Sequence, residues 1–275
     1  MSLSFDGPVL LAGAGKMGAA LLAGWLQRGL DSKNVIVQEP NLQGEAAALV
    51  ARYGIRVLLA AQKLEVPPAV IVVAVKPQVM DQVFPGLAKL AGPNTVVLSI
   101  AAGRSIASFE KHLPANTAVV RAMPNTPAAI GRGITGAAGN PALTAAQKKS
   151  CDELLAAAGD VVWLREEHLI DAVTAVSGSG PAYVFLLAEC LALAGCDAGL
   201  DRDTAMRLAR ATVSGAGELL HQSKDDPAVL RQNVTSPGGT TAAALAVLMR
   251  EQDGLQKLMR EAVRAALKRA KELAS

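Results

Sequence analysis

The chain has 275 residues, 51% hydrophobic and 19% charged, with 27 Lys and Arg against 24 Asp and Glu for a formal charge of +3. That length permits a large core and favours two domains over one, and so few charges imply that part of the surface meets another subunit. With 3% aromatic residues and no basic block, both the phosphate-neutralising patch and the base-stacking platform of a nucleic-acid binder are missing.

The start, MSLSFDGPVLLAGAG, lacks a basic n-region and runs straight into a strand, so no signal peptide is expected. PVLLAGAG is an apolar run ending in glycines, and KMGAALLAGWLQRG continues at helical spacing to Gly29. Gly13, Gly15 and Gly18 form GxGxxG at this first strand–helix junction. There Gly13 makes the tight turn, Gly15 lets a pyrophosphate approach the backbone, and Gly18 lets the helix pack closely on the strand. Met17 after Lys16 excludes a P-loop, which needs Ser or Thr. The cofactor set expected from this turn is Ala12, Gly13, Ala14, Gly15, Lys16, Met17 and Gly18.

NVIVQEP is a second strand, ended by Pro40. Glu39 stands about twenty positions after the glycines, where an acid accepts from a ribose 2′-OH and favours NAD over NADP. Gln38 is the alternative residue to face that pocket. After a helix ending at Gly54, AVIVVAVKP, TVVLSIAAG and TAVVRAMPNTP are further strands, the first of them apolar enough to be covered on both faces. Their carboxyl ends carry Ala74, Val75, Lys76 and Pro77, then Ala101 and Ala102, then Asn125, where ligands of open α/β sheets sit. Alternating strand and helix predict an α/β fold, a doubly wound parallel Rossmann-type sheet over residues 1–165.

From about Glu166 the strand signals stop. Long helices are expected in SGSGPAYVFLLAECLALAGC, DRDTAMRLARATVSGAGELLHQS and DGLQKLMREAVRAALKRAKELA. The first is apolar nearly all round and must be buried on several sides. Residues 166–275 are therefore expected to form an all-α domain that pairs with a second copy. The run YVFLLAECLALAGC is broken by Glu189 and reads as too short to cross a bilayer, so a cytoplasmic protein is expected. Cys151, Cys190 and Cys196 lack CxxC spacing, and His112, His168 and His221 are scattered, so neither a disulfide framework nor a metal site is expected.

Within this helical half, NVTSPGGTTAAAL breaks a helix with Pro237, Gly238 and Gly239 and restarts one at Thr240 and Thr241. A bare helix start lined with glycine holds an anion. Thr241 reads either as a helix N-terminal cap or as a hydroxyl near the reacting atoms.

GAGKMG, AVKPQ, MPNTP, SGSGPAY and VTSPGGTT, in this order and along essentially the whole chain, resemble the pyrroline-5-carboxylate reductases. The resemblance implies reduction of 1-pyrroline-5-carboxylate to proline with NADPH or NADH, and a helical domain forming dimers that often build larger rings. It implies that Ser236, Gly238, Gly239, Thr240 and Thr241 bind the substrate carboxylate, and that Thr241 orients the ring nitrogen and relays a proton. NADP-favouring members tend to carry small or basic residues after the second strand, where this chain has Gln38, Glu39 and Pro40. The stretch Gln222–Asp226 also differs in length from the family's, and no role is carried onto it. Two rivals remain: a β-hydroxyacid-type dehydrogenase, which would need a Lys that SGSGPAYVFLLAEC lacks, and a non-catalytic NAD(P)-binding sensor.

Overall fold

A computed structural model describes residues 3–274; the outermost positions of the two expected domains, 1–2 and 275, lie outside them. The chain divides into two compact units, one running to Gly178 and taking in the segment from Leu267 onward, the other Ser179–Ala266. This division falls later than residue 165. The helix α6 (Leu169–Val173) stays with the sheet because Arg121 donates to Asp171 at 2.8 Å and to Glu167 at 3.3 Å.

The first unit is built on one eight-stranded sheet in the order β3-β2-β1-β4-β5-β6-β7-β8. The strands are β1 (Val9–Ala12), β2 (Val35–Gln38), β3 (Arg56–Leu58), β4 (Val70–Val73), β5 (Val96–Ser99), β6 (Ala118–Met123), β7 (Gly133–Gly139) and β8 (Gly159–Trp163). Neighbours from β3 to β6 are parallel, with Ala12 opposite both Gln38 and Val73. The sheet is parallel as expected except at β7, which runs antiparallel to β6. Too few residues separate Met123 from Gly133 for a helical crossover, which needs a dozen or more, so the chain turns back. β8 is then parallel to β7.

Two apolar layers sandwich the sheet. On one face α1 (Lys16–Gln27) buries Leu21, Leu22 and Trp25 against Val9, Leu11, Val35 and Val37. The Trp25 indole N–H, removed from water, donates to the Leu154 carbonyl at 2.9 Å, linking α1 to α5 (Ala145–Leu155). On the other face α3 (Met80–Ala88) and α4 (Ile106–Glu110) bring Phe84 and Phe109 edge-to-face at 4.8 Å. All four residues of β4, Val-Ile-Val-Val, are fully buried between these layers. That is why the strand reads as an unbroken apolar run.

Gly159, at φ +138°, opens β8 directly against the start of β7, and a Cβ there would overlap the Gly133 carbonyl. Gly24 in α1 is likewise pressed on the Ala157 carbonyl.

The second unit contains α7 (Gly180–Asp197), α8 (Arg202–Gln222), α9 (Pro227–Asn233), α10 (Thr240–Leu248) and most of α11 (Leu255–Ala274). α7 packs on α8, and Gly195 allows the close approach: a Cβ there would lie 3.2 Å from that of Ala205. The unit's buried apolar side chains, among the described residues, are only Ala192, Ala205 and Ala209. Val184, Phe185, Leu187, Leu191, Leu208 and Leu220 are all exposed. A π-helical turn, Thr174–Gly178, joins α6 to α7, so that helix runs 29 residues from Leu169 to Asp197. By length and composition it is apolar enough to cross a membrane, contrary to the reading of YVFLLAECLALAGC alone as too short. The π turn and the preceding α6 supply the extra length.

Candidate active site

In the first unit the strand order reverses between β1 and β4, which makes their carboxyl ends the place for a ligand. The turn after β1 is fixed by backbone sterics. Gly13 sits at φ +92°, and a Cβ on it would lie 2.6 Å from the carbonyl carbon and oxygen of Ala74. Its N–H donates to the Gln38 carbonyl at 2.9 Å. Gly18 packs under the Gly13 carbonyl with no room for a side chain, whereas Gly15 faces open space. Gly15 is also the N-cap of α1, with no side chain closing the helix start. Ala19 N–H is bonded to Gly15 O, so the amides of Lys16, Met17 and Gly18 point out of the helix as an anion seat.

A cavity of about 520 Å³ opens beside this turn. Gly13, Gly15, Glu39, Ala74, Val75 and Lys76 line it together, all of them positions expected from sequence. Gln38, Leu59, Val79 and Val83 complete the wall with others from β2, the end of β3 and α3. The remaining expected positions sit differently. Ala12 is fully buried in the sheet, its carbonyl taken by Ala74 N–H at 2.7 Å. Ala14 offers its N–H to a Glu39 carboxylate oxygen at 3.0 Å. Lys16 is exposed and Met17 half-buried against the core. Ala101 is buried with its N–H on Ser99 Oγ, and Ala102 is exposed. Asn125 is pinned: its Oδ1 accepts from Ile134 N–H at 2.9 Å and its Nδ2 donates to Ser177 O at 3.2 Å. Its side chain thus fastens the turn after β6 to the π-helical turn.

Sequence reasoning did not find Arg104, which ties two of these loops together. Its guanidinium grips Asp81 through two bonds of 2.7 and 2.8 Å and donates to the Pro77 carbonyl at 3.0 Å. The bond from Arg104 holds the Asp81 carboxyl below its ordinary value of 3.8. Because the folded value is the lower one, the pair's contribution is complete above 3.8 and fades as pH falls through the depressed value. Nothing in the local sequence marks Arg104 as the partner of a residue 23 positions earlier.

In the second unit, Ser236-Pro237-Gly238-Gly239 forms a tight turn closed by Gly239 N–H on Ser236 O at 3.1 Å, with Gly238 at φ +69°. Pro at the second position and a positive-φ Gly at the third are the residues such a turn demands. Gly239 is the N-cap of α10, and no side chain caps that helix either. Ala243 N–H bonds Gly239 O at 3.2 Å, which leaves the amides of Thr240, Thr241 and Ala242 at an open helix start. Ser236 and Thr240 are exposed and Thr241 half-buried. A Cβ on Gly239 would strike Ser236 Oγ, so a side chain there would displace that hydroxyl. α7 carries no lysine, so the residue a β-hydroxyacid dehydrogenase would need there is missing.

Among the described residues no group of three His, Cys, Asp or Glu is placed to hold a metal ion. Cys151 is buried, which pushes its thiol far above the ordinary range and leaves it inert.

Comparison with known proteins matches the chain in two parts. Residues 167–273 match the family model for pyrroline-5-carboxylate reductase dimerisation, and residues 9–103 that for coenzyme F420-dependent NADP oxidoreductases. A pyrroline-5-carboxylate reductase of Pseudomonas aeruginosa is 40% identical over 266 residues, covering 97% of this chain and 96% of the relative. A pyrroline-5-carboxylate reductase structure from Coxiella burnetii superposes with a TM-score of 0.90 at 33% identity, covering 98% and 99% of the two chains. The Plasmodium falciparum pyrroline carboxylate reductase with NADP bound gives 0.79 at 27% identity, over 98% and 99%.

Proposed function

The chain belongs to the pyrroline-5-carboxylate reductase family, and from that premise we propose how its own residues divide the reaction. The enzyme reduces 1-pyrroline-5-carboxylate to L-proline, the last step of proline biosynthesis, with NADPH or NADH as the source of the hydride. The turn Gly13–Gly18 with Lys76 takes the dinucleotide. The cavity fits such a group, since Gly15 leaves open space above a bare helix start and the floor is apolar.

The open start of α10 takes the substrate carboxylate on the amides of Thr240, Thr241 and Ala242, with Ser236 and Gly238 shaping the seat. This uncapped helix start is the observation that carries the reading, because a nucleotide sensor has no use for a second anion seat. A cyclic imine needs a hydride at carbon and a proton at nitrogen. It is basic enough to arrive protonated, so no His or Lys acid is required. The Thr241 hydroxyl orients the ring by accepting from the iminium N–H, and for an imine that enters neutral it relays a proton from water to the nitrogen. Orientation supplies most of the rate, an effect worth up to about 7–11 kcal/mol in well-placed cases.

Thr241→Ala is expected to lower kcat about tenfold, the equivalent of one hydrogen bond, with the dissociation constant for the cofactor unchanged. Unaltered turnover would remove Thr241 from the mechanism. For the activity itself, purified protein is offered NADH or NADPH with pyrroline-5-carboxylate or with a β-semialdehyde acid. Turnover only on the latter would replace this reading by the dehydrogenase.

The exposed apolar side chains of α7 and α8 support self-association as a dimer or larger ring, and residues 166–275 are the dimerisation and substrate domain in this account. Each such side chain, fully buried, contributes about 1.5–3 kcal/mol. Sedimentation at micromolar concentration is expected to give a dimer or larger, and Phe185→Glu to lower that mass; a monomer throughout would contradict it. The same burial against a partner accounts for the apolar helix in a cytoplasmic enzyme.

A further inference from the structure

β2 ends in two polar residues that share the wall of the nucleotide cavity. Gln38 is only 7% exposed, and its Oε1 is buried with no hydrogen-bond partner. Glu39 is the reverse: one carboxylate oxygen accepts from Ala14 N–H at 3.0 Å and the other from Asn41 N–H at 3.1 Å. A buried acceptor lacking a donor is costly unless a ligand provides one. A carboxylate held by two main-chain amides cannot rotate away without breaking both.

We propose that Gln38 and Glu39 form a receptor for an adenosine that carries no 2′-phosphate, so that this enzyme selects NADH over NADPH. The proposal rests on reading the cavity as the dinucleotide site. An ionised carboxylate only accepts hydrogen bonds, and each Glu39 oxygen retains a lone pair after bonding its amide. Ribose hydroxyls donate to those lone pairs. A 2′-phosphate puts acceptor oxygens and about two negative charges in the same place, with no proton to share. The cation on the cavity wall, Lys76, follows β4, across β1 from Glu39 in the strand order, and so does not relieve that repulsion at the end of β2. The rest of the wall, with Leu59, Ala60, Ala61, Val79 and Val83, suits a flat base. Gln38 Oε1 accepts a hydrogen bond from the part of adenosine common to both cofactors, and so sets affinity without setting preference.

The test is equilibrium binding of NADH and NADPH to the full-length protein without substrate, read by nucleotide fluorescence. The native protein is expected to bind NADH at least about tenfold more tightly. Glu39→Ser should shrink that ratio by about tenfold or more, and Glu39→Gln, which keeps an acceptor for Ala14 N–H and loses the charge, should shrink it too. Gln38→Leu should weaken both nucleotides by the same factor and leave the ratio alone. Equal or tighter binding of NADPH by the native protein, or a ratio unmoved by both Glu39 variants, overturns the selection while leaving the site in place. Failure of either nucleotide to bind overturns the site reading as well.

Discussion

Gly13→Val is expected to weaken dinucleotide binding by more than about 100-fold and to lower the melting temperature at the same time. Both effects come from one atom. The new Cβ would lie 2.6 Å from the Ala74 carbonyl, a backbone group that cannot swing aside, at a φ of +92° that L side chains avoid. Left-handed backbone costs an L residue roughly 1–2 kcal/mol and overpacking typically another 1–3 kcal/mol. The loop then relaxes by moving Ala74 and Val75, which line the cavity. Gly15→Ala separates the contributions, because nothing in the protein lies within 4 Å of its added methyl. That variant should melt with the native protein and lose cofactor affinity only. Calorimetric melting with isothermal titration checks both. A Gly15→Ala protein that binds normally would place the pyrophosphate elsewhere.

Arg121→Met is expected to cost about 3–5 kcal/mol of stability, the penalty for stranding buried carboxylates without their cation. Arg121 is 4% exposed in β6, and Asp171 is buried with it. Glu167 is half-buried and also accepts Ile106 N–H at 2.8 Å, so one guanidinium secures both α6 and the start of α4. The cation is not ideally served, since its Nε is buried without a partner. For that reason the triple variant Arg121→Met, Glu167→Gln, Asp171→Leu should recover most of the loss, the glutamine still accepting from Ile106. Urea denaturation at one fixed protein concentration makes the comparison, because subunit association would otherwise move the midpoint. A single-variant cost below about 1 kcal/mol would mean that the carboxylates reach water after the change.

The sheet's centre and the glycine turn after β1 were legible in the sequence because each has a local cause. Four successive apolar residues at Val70–Val73 leave no other reading for a strand covered on both faces, and Gly13 and Gly18 stand where a Cβ would meet backbone. The outer parts of the sheet were not legible. β7, Gly-Ile-Thr-Gly-Ala-Ala-Gly, has too few large apolar residues to show a strand pattern, and β3 is only three residues long. Both form because a neighbour offers a ladder, which is a tertiary cause. The place of α6 was not legible for the same reason: it looks like the start of the helical half, yet Arg121, 50 positions from Asp171, holds it to the sheet. In the site, Lys76 could be placed from its position after a strand, but the fixing of Glu39 by Ala14 and Asn41, the grip of Arg104 on Asp81, and the pinning of Asn125 are pairings that no spacing encodes.

The close-packed glycines that open β7 and β8 and the one within α1 would make a saturation-mutagenesis map of this enzyme misleading if only growth were scored. Gly24, Gly133 and Gly159 should be as intolerant as Gly13, although none of them lines the nucleotide cavity. Their variants would disappear through lost protein abundance, whereas Gly15 variants would persist at normal levels and fail in catalysis. Scoring soluble yield alongside growth separates residues kept for assembly from those kept for chemistry.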